Sequence, residues 1–258
     1  MRTSPLRLFL VSLLFLSLEC LAQKKIYTTA NAHSHNDYEQ GIPFYQAWKQ
    51  GFGSIEADIF LYKGKLIVAH DSSQLTWEQS LDSLYLFPLQ RCIEKNEGSV
   101  YADKNRSIQL MIDIKSEAVS TLNKLIETLK TYPVLARTST LKIVISGNRP
   151  PPANFESYPA WIQFDGELQR GYKLKELEKI EMFSDNFARY SLWKGQGVIP
   201  EKDSLSLKQW VDKAHLLGKK IRFWNAPDNP ESWKVFMGLG VDYINTDNID
   251  GLSRFLQQ

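Results

Sequence analysis

Eight short apolar runs, each separated from the next by helix-forming or turn-rich sequence, predict a (β/α)8 barrel of the TIM type. Two observations carry this. Strands that read as continuous apolar runs, with helices between them, belong to a parallel sheet covered on its outer face. Polar and titratable side chains also recur just after those runs, where a parallel barrel builds its functional face. An open doubly wound sheet is the main competitor, but no glycine-rich phosphate loop follows the first strand.

In chain order, Lys25–Ala32 reads as the first strand and leads into His33-Ser34-His35-Asn36-Asp37. Pro43–Gln50 is helical in pattern, with Phe44, Ala47 and Trp48 on one face and Gly51 and Gly53 ending it. The second strand holds Glu56 and Asp58. Lys63-Gly64-Lys65 then turns the chain back through Leu66-Ile67-Val68 to His70. Residues 72–106 contain an amphipathic stretch at 77–84 and then polar loop sequence, which suggests an insertion or lid. Ile108–Ile114 is the third strand and 118–130 its helix, with Leu122, Leu125, Ile126 and Leu129 at helical spacing. Further strands are read at 141–145, 161–164, 181–184, 220–224 and 242–245. Helices are expected at 172–179, 207–217, 231–239 and 252–256.

The 258 residues suffice for one domain, and no linker or fixed-period repeat divides them. A net charge of +2 gives no nucleic-acid footprint. Residues 1–22 read as a signal peptide: Arg2 and Arg7 precede the apolar run Leu8–Leu18, too short to span a bilayer. The domain then covers residues 23–258, with no stable membrane span and a periplasmic or secreted destination. Cleavage would remove Cys20 and leave Cys92 alone, so no internal disulfide is expected, and Cys92 reads as a small buried apolar residue.

Glu56 and Asp58 are two apart on a strand and so point to the same side. Hard carboxylate oxygens suit Mg²⁺ or Ca²⁺ better than a soft metal. Asp113 and Lys115 repeat the spacing on the neighbouring strand, where Asp113 can complete an oxygen set and Lys115 can face a phosphate oxygen. His33 and His70 follow the first two strands, and two imidazoles across a substrate form an acid–base pair. His215 lies in helical sequence and reads as structural or surface.

The segments AHSHNDY at 32–38, SIEADIFLYKGKLIVAHD at 54–71 and MIDIKSE at 111–117 resemble the phospholipase C-like phosphodiesterases. Within that group the resemblance is to the glycerophosphodiester phosphodiesterases and their "altered inheritance of mitochondria 6" branch. IRFWNAPD at 221–228 and GVDYINTDNIDGL at 240–252 are weaker echoes. The resemblance implies an acid–base pair at His33 and His70 and one divalent ion on Glu56, Asp58 and Asp113. It implies phosphate or substrate contacts at Lys115, His35 and Asn36, a pocket wall at Trp224, and a small or lipid-derived phosphodiester as substrate. The chain departs from the usual pattern: His33-Ser34-His35 stands where His-Arg-Gly is usual, and Asp113 where Glu is commoner. The Asp-x-Lys form also resembles sphingomyelinase D-like phospholipases. A catalytically inactive phosphate- or sugar-binding barrel is the alternative from outside enzymology. A histidine-rich metallohydrolase would need further histidines at later strand ends, and only His215 follows His70. Asp165 and Glu167 with Trp161 also suggest a sugar subsite.

Overall fold

The computed structural model describes residues 25–258. The expected signal peptide lies outside these residues, and so does the question of export. Nine strands form one sheet: β1 (Ala32–Ser34), β2 (Ser54–Tyr62), β3 (Lys65–Val68), β4 (Ile108–Ile114), β5 (Leu141–Gly147), β6 (Ile162–Gly166), β7 (Ile180–Asn186), β8 (Lys220–Trp224) and β9 (Ile244–Thr246). Eight of them run parallel in the order β8-β7-β6-β5-β4-β2-β1-β9, while β3 folds back antiparallel on β2. The seam between β8 and β9 is closed by a bridge between Arg222 and Tyr243 and by backbone bonds from Asp242 and Tyr243 to Ile221. The result is a nearly closed (β/α)8 barrel.

The helices are α1 (Tyr45–Lys49), α2 (Phe87–Lys95), α3 (Ala118–Lys130), α4 (Pro133–Arg137), α5 (Leu174–Glu178), α6 (Glu201–Leu216), α7 (Pro230–Leu239) and α8 (Ile249–Leu256). No helix among the described residues is long and apolar enough to cross a membrane. Strand alternation sorts the core into two parts. Leu110, Ile112, Ile143, Ile145, Phe164, Phe183, Ile221 and Phe223 pack outward beneath the helices. Met111, Val144, Met182 and Tyr243 form a separate cluster that plugs the barrel interior.

Two expectations are corrected. The first strand is not Lys25–Ala32: Thr28 caps a 3-10 turn at Thr29–Asn31, and pairing begins only at Ala32. His33 is therefore inside the strand rather than beyond it. Residues 72–106 are not a lid. A π-helical turn at Asp82–Leu86 runs into α2, and Tyr85, Leu86, Leu89, Cys92 and Ile93 are buried in the main core. Pro88 conceals this helix in the sequence, because its ring and missing N–H oppose a continued α-ladder. The π turn falls just before it, where the regular bonding would fail. Cys92 is buried as expected, and burial pushes its thiol up to about 11.

Candidate active site

Strand register decides which side chains share a level. Asp58 pairs with Asp113, Asp113 with Ser146, and Ile145 with Phe164, so carboxylates and hydroxyls from β2, β4 and β5 stand in one tier above the interior plug. Above this tier lies a cavity of about 350 Å³. Glu56, Asp113, Lys115, His35, Asn36, His70 and Trp224 line it, and Arg149, Asp165 and Arg222 line its other parts.

Glu56, Asp58 and Asp113 converge as their spacing implied, each offering an oxygen within 4.8 Å of the others. Asp58 is fully buried. Its Oδ2 accepts hydrogen bonds from Tyr38 Oη at 2.9 Å and His70 Nδ1 at 3.0 Å, and Lys115 Nζ lies 3.1 Å away. Asp58 Oδ1 and Asp113 Oδ1 are buried without a hydrogen-bond partner among the described residues. Burying a carboxylate oxygen unpaired is costly; Lys115 Nζ lies 3.3 Å from Asp113 Oδ1, so Asp58 Oδ1 is the one left unpaired, and three converging carboxylates fit a hard cation. Burial pushes Asp113 up to about 6, with Glu56 and Asp58 adding to the effect and Lys115 opposing it. Gly147 makes the approach possible. Its φ is +67°, and a Cβ there would fall 1.9 Å from Asp113 Oδ1.

His33 does not join this cavity. It pairs with Ser54, one level below the partner row that carries Glu56, and its side chain is fully buried. Nδ1 lies 2.7 Å from Ser54 Oγ and Nε2 lies 2.8 Å from Glu56 Oε2. Gln109 Nε2 donates to Ser54 Oγ at 3.0 Å. The donor inventory assigns a relay from Gln109 to Ser54 to His33 to Glu56. Arg222 Nη1 lies against both His33 Nε2 and Glu56 Oε2, and also donates to Asn245 Oδ1 at 3.2 Å. Burial and the Arg222 charge drive His33 down to about 3, so it stays neutral. Burial alone would raise Glu56, but Arg222 and His33 hold it well below the usual carboxylate range.

His35, the residue just after β1, is the histidine of this segment that reaches the cavity. Its Nδ1 lies 2.8 Å from Asp247 Oδ1, which leaves Nε2 for a substrate. Burial would lower its pKa, but the Asp247 hydrogen bond and the Glu56 charge outweigh this and hold it above the ordinary imidazole value. Asn36 follows in the left-handed region at φ 43° and lines the same wall. Lys115 bridges Asp58 and Asp113, the latter at 3.3 Å. His215 sits away from the cavity on α6, paired to Asp242 at 2.8 Å.

The sequence reading missed Arg222 and the roles of Asp247 and Tyr38. Arg222 carried a signal: a lone cation in the apolar run KIRFW, two residues before Trp224 and so on the same face. Nothing local marks Tyr38 or Asp247 as partners of Asp58 and His35, since those contacts span 20 and 212 residues.

Comparison with known proteins agrees with the motif resemblance. Residues 23–136 match the AIM6-like phosphodiesterase domain, and residues 220–250 match the glycerophosphoryl diester phosphodiesterase family. Altered inheritance of mitochondria protein 6 of Kluyveromyces lactis is 27% identical, over 87% of this chain and 72% of that protein. The homolog from Arthroderma benhamiae is 25% identical, over 84% of this chain and 81% of its own length. Among solved structures, a glycerophosphodiester phosphodiesterase from Parabacteroides distasonis superposes with a TM-score of 0.54 at 16% identity, covering 88% of this chain and 96% of that one. At that identity the likeness speaks for the barrel alone. The chain is thus similar to the AIM6-like branch of the glycerophosphodiester phosphodiesterase-like proteins.

Proposed function

We propose that this chain is a divalent-metal-dependent phosphodiesterase, exported from the cell by its N-terminal segment. One observation carries the reading: two imidazoles, His35 and His70, line one cavity beside three converging carboxylates, among which the buried Asp58 Oδ1 has no partner among the described residues. Glu56, Asp58 and Asp113 would hold Mg²⁺ or Ca²⁺. When bound, such an ion supplies Lewis-acid neutralisation of charge on a phosphoryl oxygen.

The acid–base pair is then His35 and His70 rather than His33 and His70. His33 is a positioning residue, because a buried imidazole locked between Ser54, Glu56 and Arg222 has no free face for a substrate. His35, held toward its imidazolium form and oriented by Asp247, donates a proton to the leaving alkoxide. His70, steered by Asp58, takes a proton from the attacking hydroxyl. Lys115 Nζ stands beside the carboxylates, where it would face the phosphoryl group of a bound substrate. One carboxylate cluster, rather than two, among the described residues favours a nucleophile already attached to the substrate. A hydroxyl next to the phosphate attacks phosphorus, the bond to the leaving alcohol breaks, and a cyclic phosphodiester forms.

A second reading has its own observation. Lys115 and Arg222 already neutralise part of the carboxylate charge, as a barrel that binds phosphate without turnover would need. One experiment separates the two. Purified protein is supplied with phosphodiesters with and without Mg²⁺ or Ca²⁺, and products are followed by phosphorus NMR. A metal-dependent cyclic species supports the enzyme. Binding of phosphate with no turnover of any diester supports the second reading.

A further inference from the structure

A second pocket lies on the outer side of the barrel, between the β2–β3 hairpin and α3. Its volume is about 420 Å³, within the range of small-ligand sites, and it shares no lining residue with the cavity above the carboxylate cluster. The hairpin forms one wall. β2 runs on past Asp58 to Tyr62, and Lys63-Gly64 turn the chain into β3. Both turn residues have positive φ, 46° and 78°, as a two-residue type I′ hairpin requires. Leu66 and Val68 are buried in the main core, while Tyr62 and Lys65 stand opposite one another and exposed. Leu61 N donates to Ser116 Oγ at 2.8 Å and ties the hairpin to the segment before α3.

Trp77 lies beside the hairpin and is 48% exposed. Its ring centroid is 5.5 Å from that of Tyr62, with the planes tilted by 38°. Lys63 Nζ lies 5.1 Å from the Tyr62 ring and Lys65 Nζ 5.2 Å from the Trp77 ring. Large aromatic side chains bury most of their surface when packing alone decides their place, so two exposed neighbours mark a binding surface. The rest of the lining is polar: Ser80, Asp82, Lys124, Glu127, Thr128 and Thr131. Several of these groups are held in place. Tyr132 Oη donates to Asp82 Oδ1 at 3.0 Å, Ser83 N donates to Ser80 Oγ at 3.1 Å, and Lys124 Nζ lies 3.3 Å from Glu127 Oε2.

This lining discriminates among partners. A polyanion needs an excess of cations, and here Lys65 and Lys124 are balanced by Asp82 and Glu127. A bilayer surface needs aliphatic area to bury, and Leu66, the one aliphatic side chain in the lining, is 2% exposed. A sugar ring presents C–H faces that pack on aromatic planes and a rim of hydroxyls that both donate and accept. Carboxylates to accept from it, ammonium and hydroxyl groups to donate to it, and two adjacent aromatic rings are all present. We propose that this outer face binds a neutral polysaccharide chain, with consecutive sugar rings on Trp77 and Tyr62 and their hydroxyls on Asp82, Lys124 and the threonines. The site is separate from the phosphodiesterase reading, and neither needs the other.

The test uses the full mature chain and three neutral probes: maltohexaose, cellohexaose and chitohexaose. Binding is detected by saturation-transfer NMR and its affinity measured by calorimetry. At least one hexaose should bind. Trp77→Ala should weaken it by about tenfold or more, the scale of losing a central aromatic contact, and Tyr62→Ala should act in the same direction. Trp77→Tyr keeps an aromatic face and should stay within about threefold of the parent. Thermal unfolding of each variant separates lost recognition from lost fold. No binding of any hexaose at millimolar concentration, or an affinity unmoved in folded Trp77→Ala and Tyr62→Ala, overturns the site. An affinity lost in Trp224→Ala but kept in Trp77→Ala would move the sugar into the other cavity and overturn it as well. Vesicles of phosphatidylcholine and phosphatidylglycerol in equal parts supply the last arm. Co-sedimentation that Trp77→Ala abolishes, with no hexaose bound, would assign the aromatic pair to a lipid surface instead.

Discussion

Replacing Arg222 by methionine is the most direct probe of how the site is held together. The Arg222 and Glu56 side chains are 3% and 5% exposed, and Nη1 lies against Glu56 Oε2, His33 Nε2 and Asn245 Oδ1. Methionine fills much of the same volume, so the main loss is charge rather than packing. Removing one partner of a buried ion pair leaves an uncompensated charge and costs about 3–5 kcal/mol. Arg222→Met should therefore lose about that much stability at neutral pH, read by urea unfolding through the tryptophans. The double variant Arg222→Met with Glu56→Gln should recover most of it, since no charge is then stranded. The pH dependence has a definite sign. In the parent, Glu56 is held below its unfolded value, so its stabilisation is present above about pH 4.5 and lost on acidification. In the variant, burial dominates and the folded value is raised, so the destabilisation should shrink as pH falls and the carboxyl takes up a proton. A loss below about 1 kcal/mol, or a double variant no better than the single one, would refute the view that Arg222 neutralises Glu56.

Four further outcomes are expected. Asp58→Asn should abolish measurable Mg²⁺ or Ca²⁺ binding in calorimetry while the fold survives; unchanged binding would remove Asp58 from the ion site. His35→Ala and His70→Ala should each reduce turnover by about 10²–10⁴-fold, the usual scale of acid–base catalysis, with His215→Ala within twofold of the parent. Equal losses at His35 and His215 would break the assignment. Gly147→Ala should weaken metal binding because the new Cβ meets Asp113 Oδ1, and an unaltered affinity would mean the loop yields instead. Asp37 is buried, accepts from Ser34, Phe44 and Tyr85, and is pushed by burial up to about 6. Its raised value makes stability greatest below the unfolded value near 3.8 and lowers it as pH rises through about 6. Asp37→Asn should flatten that part of the stability profile, and an identical profile in the two proteins would exclude Asp37 as its source.

Much of this molecule was legible in the chain. The apolar runs at 108–114 and 220–224 became β4 and β8 with the same bounds, and 118–130 became α3, because period and burial agree there. Glu56 and Asp58 aim together because strand alternation is local, and the neighbouring β4 brings Asp113 to the same side. What local pattern could not supply was level. His33 and His35 are two apart and share a face, so spacing alone treats them alike. Pairing of β1 with β2 sets His33 beside Ser54, below the cavity, and lifts His35 into it beside Asp247. The same holds for Arg222, whose value depends on meeting Glu56 across 166 residues of chain. Side-chain period is a property of one strand and can be read from one segment. Register between strands depends on turns, bulges and packing elsewhere, and it was the tertiary structure that decided which histidine can face a substrate and which is sealed beneath it.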